Sequence, residues 1–128
     1  MVRPGAIKPR YWVPVFIWML AIFGLSSVPG KDIPRMGPEG LDKIAHAVEY
    51  GILGFLLVRA FVMSGASAGI LNINLAGTII LSIIIAAAYA ALDEWHQGFV
   101  PGREMDIFDL AADFAGLGIG VFLYKKRG

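Results

Sequence analysis

The sequence predicts an all-α fold, an integral membrane bundle of four transmembrane helices. Hydrophobic residues make up 57% of the 128 residues and charged residues 16%, whereas a soluble domain carries about 25% charged residues. Four apolar runs come close to the roughly 20 residues that a helix needs to cross the bilayer core. Because the composition does not shift along the chain, we expect a single membrane domain over residues 1–128.

The first span is predicted at about residues 11–28. It lies in a run from Tyr11 to Gly30 that carries no charge. Basic residues precede this run, so a cleaved signal peptide is the alternative. The run is longer than the roughly 7–15 apolar residues at the centre of a signal peptide, which favours a transmembrane helix.

The other three spans are predicted at about residues 44–63, 75–92 and 107–124. In the second span, His46 and Glu49 lie near one end, where polar groups can reach the interface. Short connections between the four spans indicate a compact antiparallel bundle.

Charges flanking the spans predict the orientation. Basic residues precede the first span, and Lys125, Lys126 and Arg127 follow the last one. Short basic flanks mark the cytoplasmic side, so we expect both termini in the cytoplasm of a bacterial cell, with the chain in its inner membrane. The connection from Asp93 to Asp106 holds four carboxylates and only one basic residue, Arg103, which favours the outer side.

Polar residues of the second and fourth predicted helices would meet at this outer side. Helical spacing places one set on a single face of the second helix: Asp42, His46, Glu49 and Tyr50. A second set shares one face of the fourth helix: Asp106, Asp109 and Asp113. Carboxylates within spans are costly and face the bundle interior or a watery cavity. We therefore predict a pocket, which Lys43 and Arg103 would complete as basic partners, together with Asp93, Glu94 and Gln97.

Two blocks of this sequence, DKIAHAVEYGILG and DEWHQGFVPGREMDIFDLAADFAGLGIG, resemble the VanZ-like family. These small membrane proteins are associated with teicoplanin (glycopeptide) resistance. The residues that match are Asp42, Lys43, His46, Tyr50, Asp93, Glu94, Gln97, Arg103, Asp106 and Asp109, and the Ser26-Ser27 pair at the end of the first span also resembles the family's. The resemblance covers essentially the whole chain and implies a role at the bacterial cell envelope, but no mechanism. It departs at Asp113, where the family pattern has Asn.

Three kinds of function remain open. The pocket can bind or shield a lipid-linked cell-wall precursor or a glycopeptide. It can belong to a hydrolase or transferase, with a divalent metal on some of His46, Asp93, Glu94, Asp106 and Asp109. It can also carry protons in a small transporter. The structural alternative is that Asp109 and Asp113 only form hydrogen bonds between helices. The chain has no cysteine and a net charge of +1 without a basic patch, so disulfides, thiolate chemistry and nucleic-acid binding are not expected. Membrane lipids are the expected surroundings, and an oligomer is compatible with the sequence.

Overall fold

The structure is a computed structural model that describes residues 6–32 and 40–127. Its four long helices are α1 (Val13–Ser26), α2 (Leu41–Met63), α3 (Leu75–Gln97) and α4 (Ile107–Arg127). All four are long and apolar enough to cross a membrane, when α1 is taken together with the short 3-10 turn Pro9–Tyr11 before it. No strand occurs in the described residues. The prediction of an all-α bundle of four membrane helices is confirmed.

Helix α3 continues five residues beyond its predicted end at Leu92. Asp93, Glu94 and Gln97 therefore lie in its last turns and are buried, whereas the sequence interpretation placed the start of a loop there. The helix can continue because polar groups of the neighbouring helices receive these side chains. The Tyr50 hydroxyl of α2, for example, donates to Asp93.

Helices α2 and α4 form the centre of the bundle because their backbones touch. A Cβ atom added at Gly116 would lie 2.5 Å from the Cα atom of Ala47, and one at Gly120 would lie 2.7 Å from the carbonyl carbon of Gly51. Ordinary van der Waals contact begins at 3.4 Å. Glycines spaced four residues apart on one helix face allow such an approach in membrane helices.

Connections at one end of the bundle bring together the residues that concern function. We call this the polar end; it comprises residues 26–32, 41–50 and 93–113. The Gly30 amide donates to the Pro101 carbonyl at 2.9 Å, and Gly102 has a φ of 76°, which favours glycine. At the opposite end, the Lys8 amide donates to the Ser64 carbonyl at 3.1 Å. The antiparallel arrangement also places the last turn of α4 at that opposite end.

An apolar groove of about 480 Å³ runs between α2 and α4 on the outer surface of the bundle. Residues from both helices line it, among them Ile44, Gly51, Phe55, Gly116, Ile119 and Leu123. The glycines keep its floor low, and the apolar side chains form its walls. The groove begins next to the polar end, because Ile44 directly follows Lys43 in the first turns of α2.

Candidate functional site

Lys43 ties the start of α2 to the start of α4. Its ammonium lies 3.2 Å from Asp42 Oδ2 and 2.7 Å from Asp106 Oδ2, and it also contacts Asp109 Oδ1. The hydrogen bond from Lys43 holds the pKa of the Asp106 carboxyl below its usual range. Asp106 also accepts the Phe108 amide at 2.8 Å, which caps the first turn of α4. These contacts fix the relative position of the two helices at the polar end.

His46 lies one turn deeper and faces two carboxylates of α4. Its Nδ1 is 2.8 Å from Asp113 Oδ1, and its Nε2 is 3.7 Å from Asp109 Oδ2. Lys43 and His46 are three residues apart on α2, and Asp109 and Asp113 are four apart on α4, so each pair lies on one helix face. The structure thus places this face of α2 against this face of α4, with His46 and Asp113 buried.

Helix α3 adds three buried polar residues to this region. The Tyr50 hydroxyl donates to Asp93 Oδ2 at 3.3 Å, and the Asp106 amide donates to Glu94 Oε2 at 3.1 Å. Gln97 Nε2 donates to the hydroxyl of Ser26 at 3.3 Å. Each of the four helices therefore contributes a polar side chain to the polar end.

Three carboxylate oxygens in this region are buried and accept no hydrogen bond within the described part of the chain: Asp93 Oδ1, Glu94 Oε1 and Asp113 Oδ2. A buried acceptor without a donor costs about 1–3 kcal/mol, and more when it is charged. His46, Glu94 and Asp113 each offer one potential metal-ligand atom, and these three atoms lie within 4.8 Å of one another. His46 and Glu94 were among the predicted metal candidates, whereas Asp113 was predicted for the pocket only.

Two predicted pocket residues have different surroundings. Arg103 Nη1 donates to the carbonyl oxygen of Val28 at 3.3 Å, and among residues 6–32 and 40–127 it has no carboxylate within 4.0 Å. Lys43, and not Arg103, therefore carries the ion pairs. Glu49 is half-buried on α2; its backbone carbonyl accepts a hydrogen bond from the Trp18 indole at 2.8 Å.

Two further residues at the polar end were not predicted as part of the pocket. Ser26 is buried beside Gln97. The His96 ring stacks on Phe23 with 4.6 Å between ring centroids, and its Nε2 is hydrogen-bonded to the Ser27 hydroxyl at 3.0 Å. The sequence signal for these contacts was the pair of adjacent serines, Ser26 and Ser27, at the end of an apolar span. It could have placed the end of α1 beside the other polar residues.

Comparison with known proteins gives one result. A family model described as VanZ/LLP1 matches residues 9–127, which include every residue of the polar end. The comparisons with curated proteins and with solved structures found no match.

Proposed function

The chain belongs to the VanZ/LLP1 family, and from that premise we propose that it binds a lipid-linked component of the bacterial cell envelope, or a glycopeptide antibiotic, at its polar end. The four apolar helices make it a multi-pass membrane protein. In this proposal it resides in the inner membrane with the polar end facing outward, because Lys125, Lys126 and Arg127 flank the opposite end. Shielding of a cell-wall precursor would then give teicoplanin-type resistance.

The observation that carries this proposal is the position of the apolar groove beside the polar cluster. Ile44 and Gly116 line the groove, and they lie one residue from Lys43 and three residues from Asp113. An amphiphile whose chain occupies the groove would therefore have its head group at the carboxylates. A lipid-linked molecule has this division into an apolar chain and a polar head.

The charges of the polar end indicate which head groups it favours. Seven carboxylates lie on α2, α3 and the start of α4: Asp42, Glu49, Asp93, Glu94, Asp106, Asp109 and Asp113. The basic groups near them are Lys43, His46 and Arg103. Excess carboxylates favour ammonium and hydroxyl groups, because both can donate to them. Amino sugars, sugars and peptide amines supply such groups.

A binding measurement in lipid nanodiscs tests the proposal. Ile119 lines the groove and is 58% exposed, and Ile119→Trp would fill it; Ile84 is 59% exposed on α3, outside the groove, so Ile84→Trp is the matched control. With a polyprenyl-linked cell-wall precursor as the probe, we expect Ile119→Trp and Asp109→Asn each to weaken binding at least about tenfold, which corresponds to about 1.4 kcal/mol. The control should bind like the wild type.

A parallel titration with teicoplanin separates the two sources of the ligand. A protein that binds the precursor loses precursor affinity in both variants and does not bind teicoplanin. A protein that binds the antibiotic loses teicoplanin affinity in both variants and does not bind the precursor. If Asp109→Asn binds each probe with the same affinity as the wild type, the proposed site is contradicted.

A second candidate function rests on one observation, the 2.8 Å contact between His46 Nδ1 and Asp113 Oδ1. A carboxylate that orients an imidazole is the arrangement of a general base. It would suit a membrane hydrolase or transferase that acts on the same head groups. Release of the head group from the lipid-linked precursor, lost in His46→Gln, would favour this function over binding alone.

A further inference from the structure

We propose that a divalent transition-metal cation binds between His46, Glu94 and Asp113. The site lies inside the pocket described above, and the inference rests on the proposed function only in that ion and ligand would share this pocket. The three residues come from three different helices, α2, α3 and α4. A bound ion would therefore link the centre of the bundle to α3.

The geometry of the three side chains fits an ion. One potential ligand atom from each residue lies within 4.8 Å of the others. Zinc binds nitrogen and oxygen ligands at about 2.0–2.2 Å in a tetrahedral arrangement, which separates neighbouring ligand atoms by about 3.4 Å. Side-chain rotations that move the ligand atoms by about 1 Å would bring the set to that spacing.

An independent observation is that Glu94 and Asp113 each have a carboxylate oxygen that accepts no hydrogen bond in the described residues. Glu94 and Asp113 are 3% and 0% exposed, and Oε1 of the former and Oδ2 of the latter have no hydrogen-bond donor in the described residues. A third such oxygen belongs to Asp93 on the same helix as Glu94. Buried carboxylates are paired with a charge or coordinate a metal, and a cation between Glu94 and Asp113 would satisfy the oxygens of these two residues.

The basic side chains nearby are engaged elsewhere. The Lys43 ammonium contacts Asp42, Asp106 and Asp109. The Arg103 guanidinium donates to a backbone carbonyl. Glu94 and Asp113 would supply two negative charges, which one divalent cation neutralises.

The donor set indicates the class of cation. One imidazole and two carboxylates form a mixed nitrogen and oxygen set, which suits zinc, manganese or ferrous iron. Magnesium and calcium prefer oxygen ligands alone. Each imidazole nitrogen of His46 has a carboxylate of α4 near it, at 2.8 Å for Nδ1 and 3.7 Å for Nε2. With Nδ1 bound to the ion, Nε2 would face Asp109 Oδ2, a carboxylate of the kind that usually orients metal-bound histidines.

The test measures metal binding by the detergent-purified full chain after chelation. Apo protein is titrated separately with zinc and with manganese, while bound metal is measured by mass spectrometry and Tm by thermal unfolding. We expect about one ion per chain and a rise in Tm, because an ion that binds the folded chain stabilises it. Glu94→Gln and Asp113→Asn should each weaken binding by more than about 100-fold, beyond the effect of an outer-shell partner. Glu104→Gln, at an exposed carboxylate in the connection between α3 and α4, is the matched control and should bind metal like the wild type.

Two results would overturn the inference. One is a wild-type chain that binds neither metal, in which case the buried carboxyl groups carry protons. The other is equal metal binding by the wild type, Glu94→Gln and Asp113→Asn, which would place the ion elsewhere; two separate variants keep this comparison possible if one does not fold. Precursor or teicoplanin binding is measured in the same samples after the metal titration. A chain that binds the ligand but takes up no metal refutes this inference alone, whereas a chain that takes up metal but binds neither ligand refutes the proposed function alone.

Discussion

Replacing Gly116 by alanine tests the contact on which the site depends. The new Cβ atom would lie 2.5 Å from the Cα atom of Ala47, whereas ordinary contact begins at 3.4 Å. The carbonyl oxygen of Ala47 would lie closer still, so the α2 and α4 backbones must separate locally by at least about 1 Å. Overpacking of this kind costs typically about 1–3 kcal/mol.

Gly118→Ala is the matched control, because a Cβ atom at Gly118 has no atom within 4 Å. Alanine is favoured over glycine in a helix interior by about 1 kcal/mol, and this gain is common to both variants. We therefore expect Gly116→Ala to unfold with a free energy about 1–3 kcal/mol lower than that of Gly118→Ala. A Gly116→Ala/Gly120→Ala double variant should cost less than the sum of its parts, since one separation of the helices relieves both overlaps.

Reversible unfolding in detergent micelles, followed by circular dichroism, measures these differences. The separation should also stretch the contacts that cross from α2 to α4, such as the 2.8 Å contact of His46 with Asp113, and so weaken ligand binding. Equal unfolding free energies for Gly116→Ala and Gly118→Ala would refute the close approach of the two helices.

Three further predictions concern the polar side chains. Lys43→Ala should destabilise the fold by about 1.5–3 kcal/mol, the range for hydrogen bonds to charged groups, because Asp106 and Asp109 lose their cation. A double-mutant cycle with Asp109→Asn should show coupling between the two residues. Additive effects on the unfolding free energy would contradict the ion pair. Tyr50→Phe should lower the unfolding free energy by about 1–3 kcal/mol, because the buried Asp93 carboxylate loses a hydrogen-bond donor. Unchanged stability would show that this hydrogen bond is not formed. The lowered pKa of Asp106 predicts a contribution to stability that is fully present above the unfolded-state pKa of about 3.9 and is lost as the pH falls through the lower folded-state value; Asp106→Asn should remove this part of the acid dependence, and an unchanged acid limb would contradict it.

The four helices could be predicted because each needs only a long apolar run, which is a local property of the sequence. The helical spacing of Asp109 and Asp113 predicted one polar face on α4. On α2 the predicted face included His46 and Tyr50, but Lys43, which makes the ion pairs, was expected only as a basic partner. The end of α3 could not be predicted. Charged residues are costly inside a span, which favoured a loop at Asp93, and the compensating donor is a tyrosine 43 residues away in sequence.

Which side chains pair at the polar end depends on how each helix is rotated about its axis, and the spacing of residues in the sequence does not specify that rotation. Arg103 was expected among the basic partners, but the contact between Gly30 and Gly102 holds its turn where the guanidinium reaches the Val28 carbonyl. Spacing likewise gives the face that α3 presents but not its rotation relative to α2 and α4. For that reason, the sequence placed Glu94, Asp113 and His46 in one pocket but did not single out these three as a possible metal-binding group.

The ammonium of Lys43 acts as an intramolecular competitor for any amine that enters the pocket. It already occupies the oxygens of Asp106 and Asp109, and a group tethered by a short linker has an effective concentration in the millimolar range. A free amine must displace it, so affinity for simple amines should be low. Selectivity would then favour molecules that also gain energy from the apolar groove, because a lone cation gains nothing there.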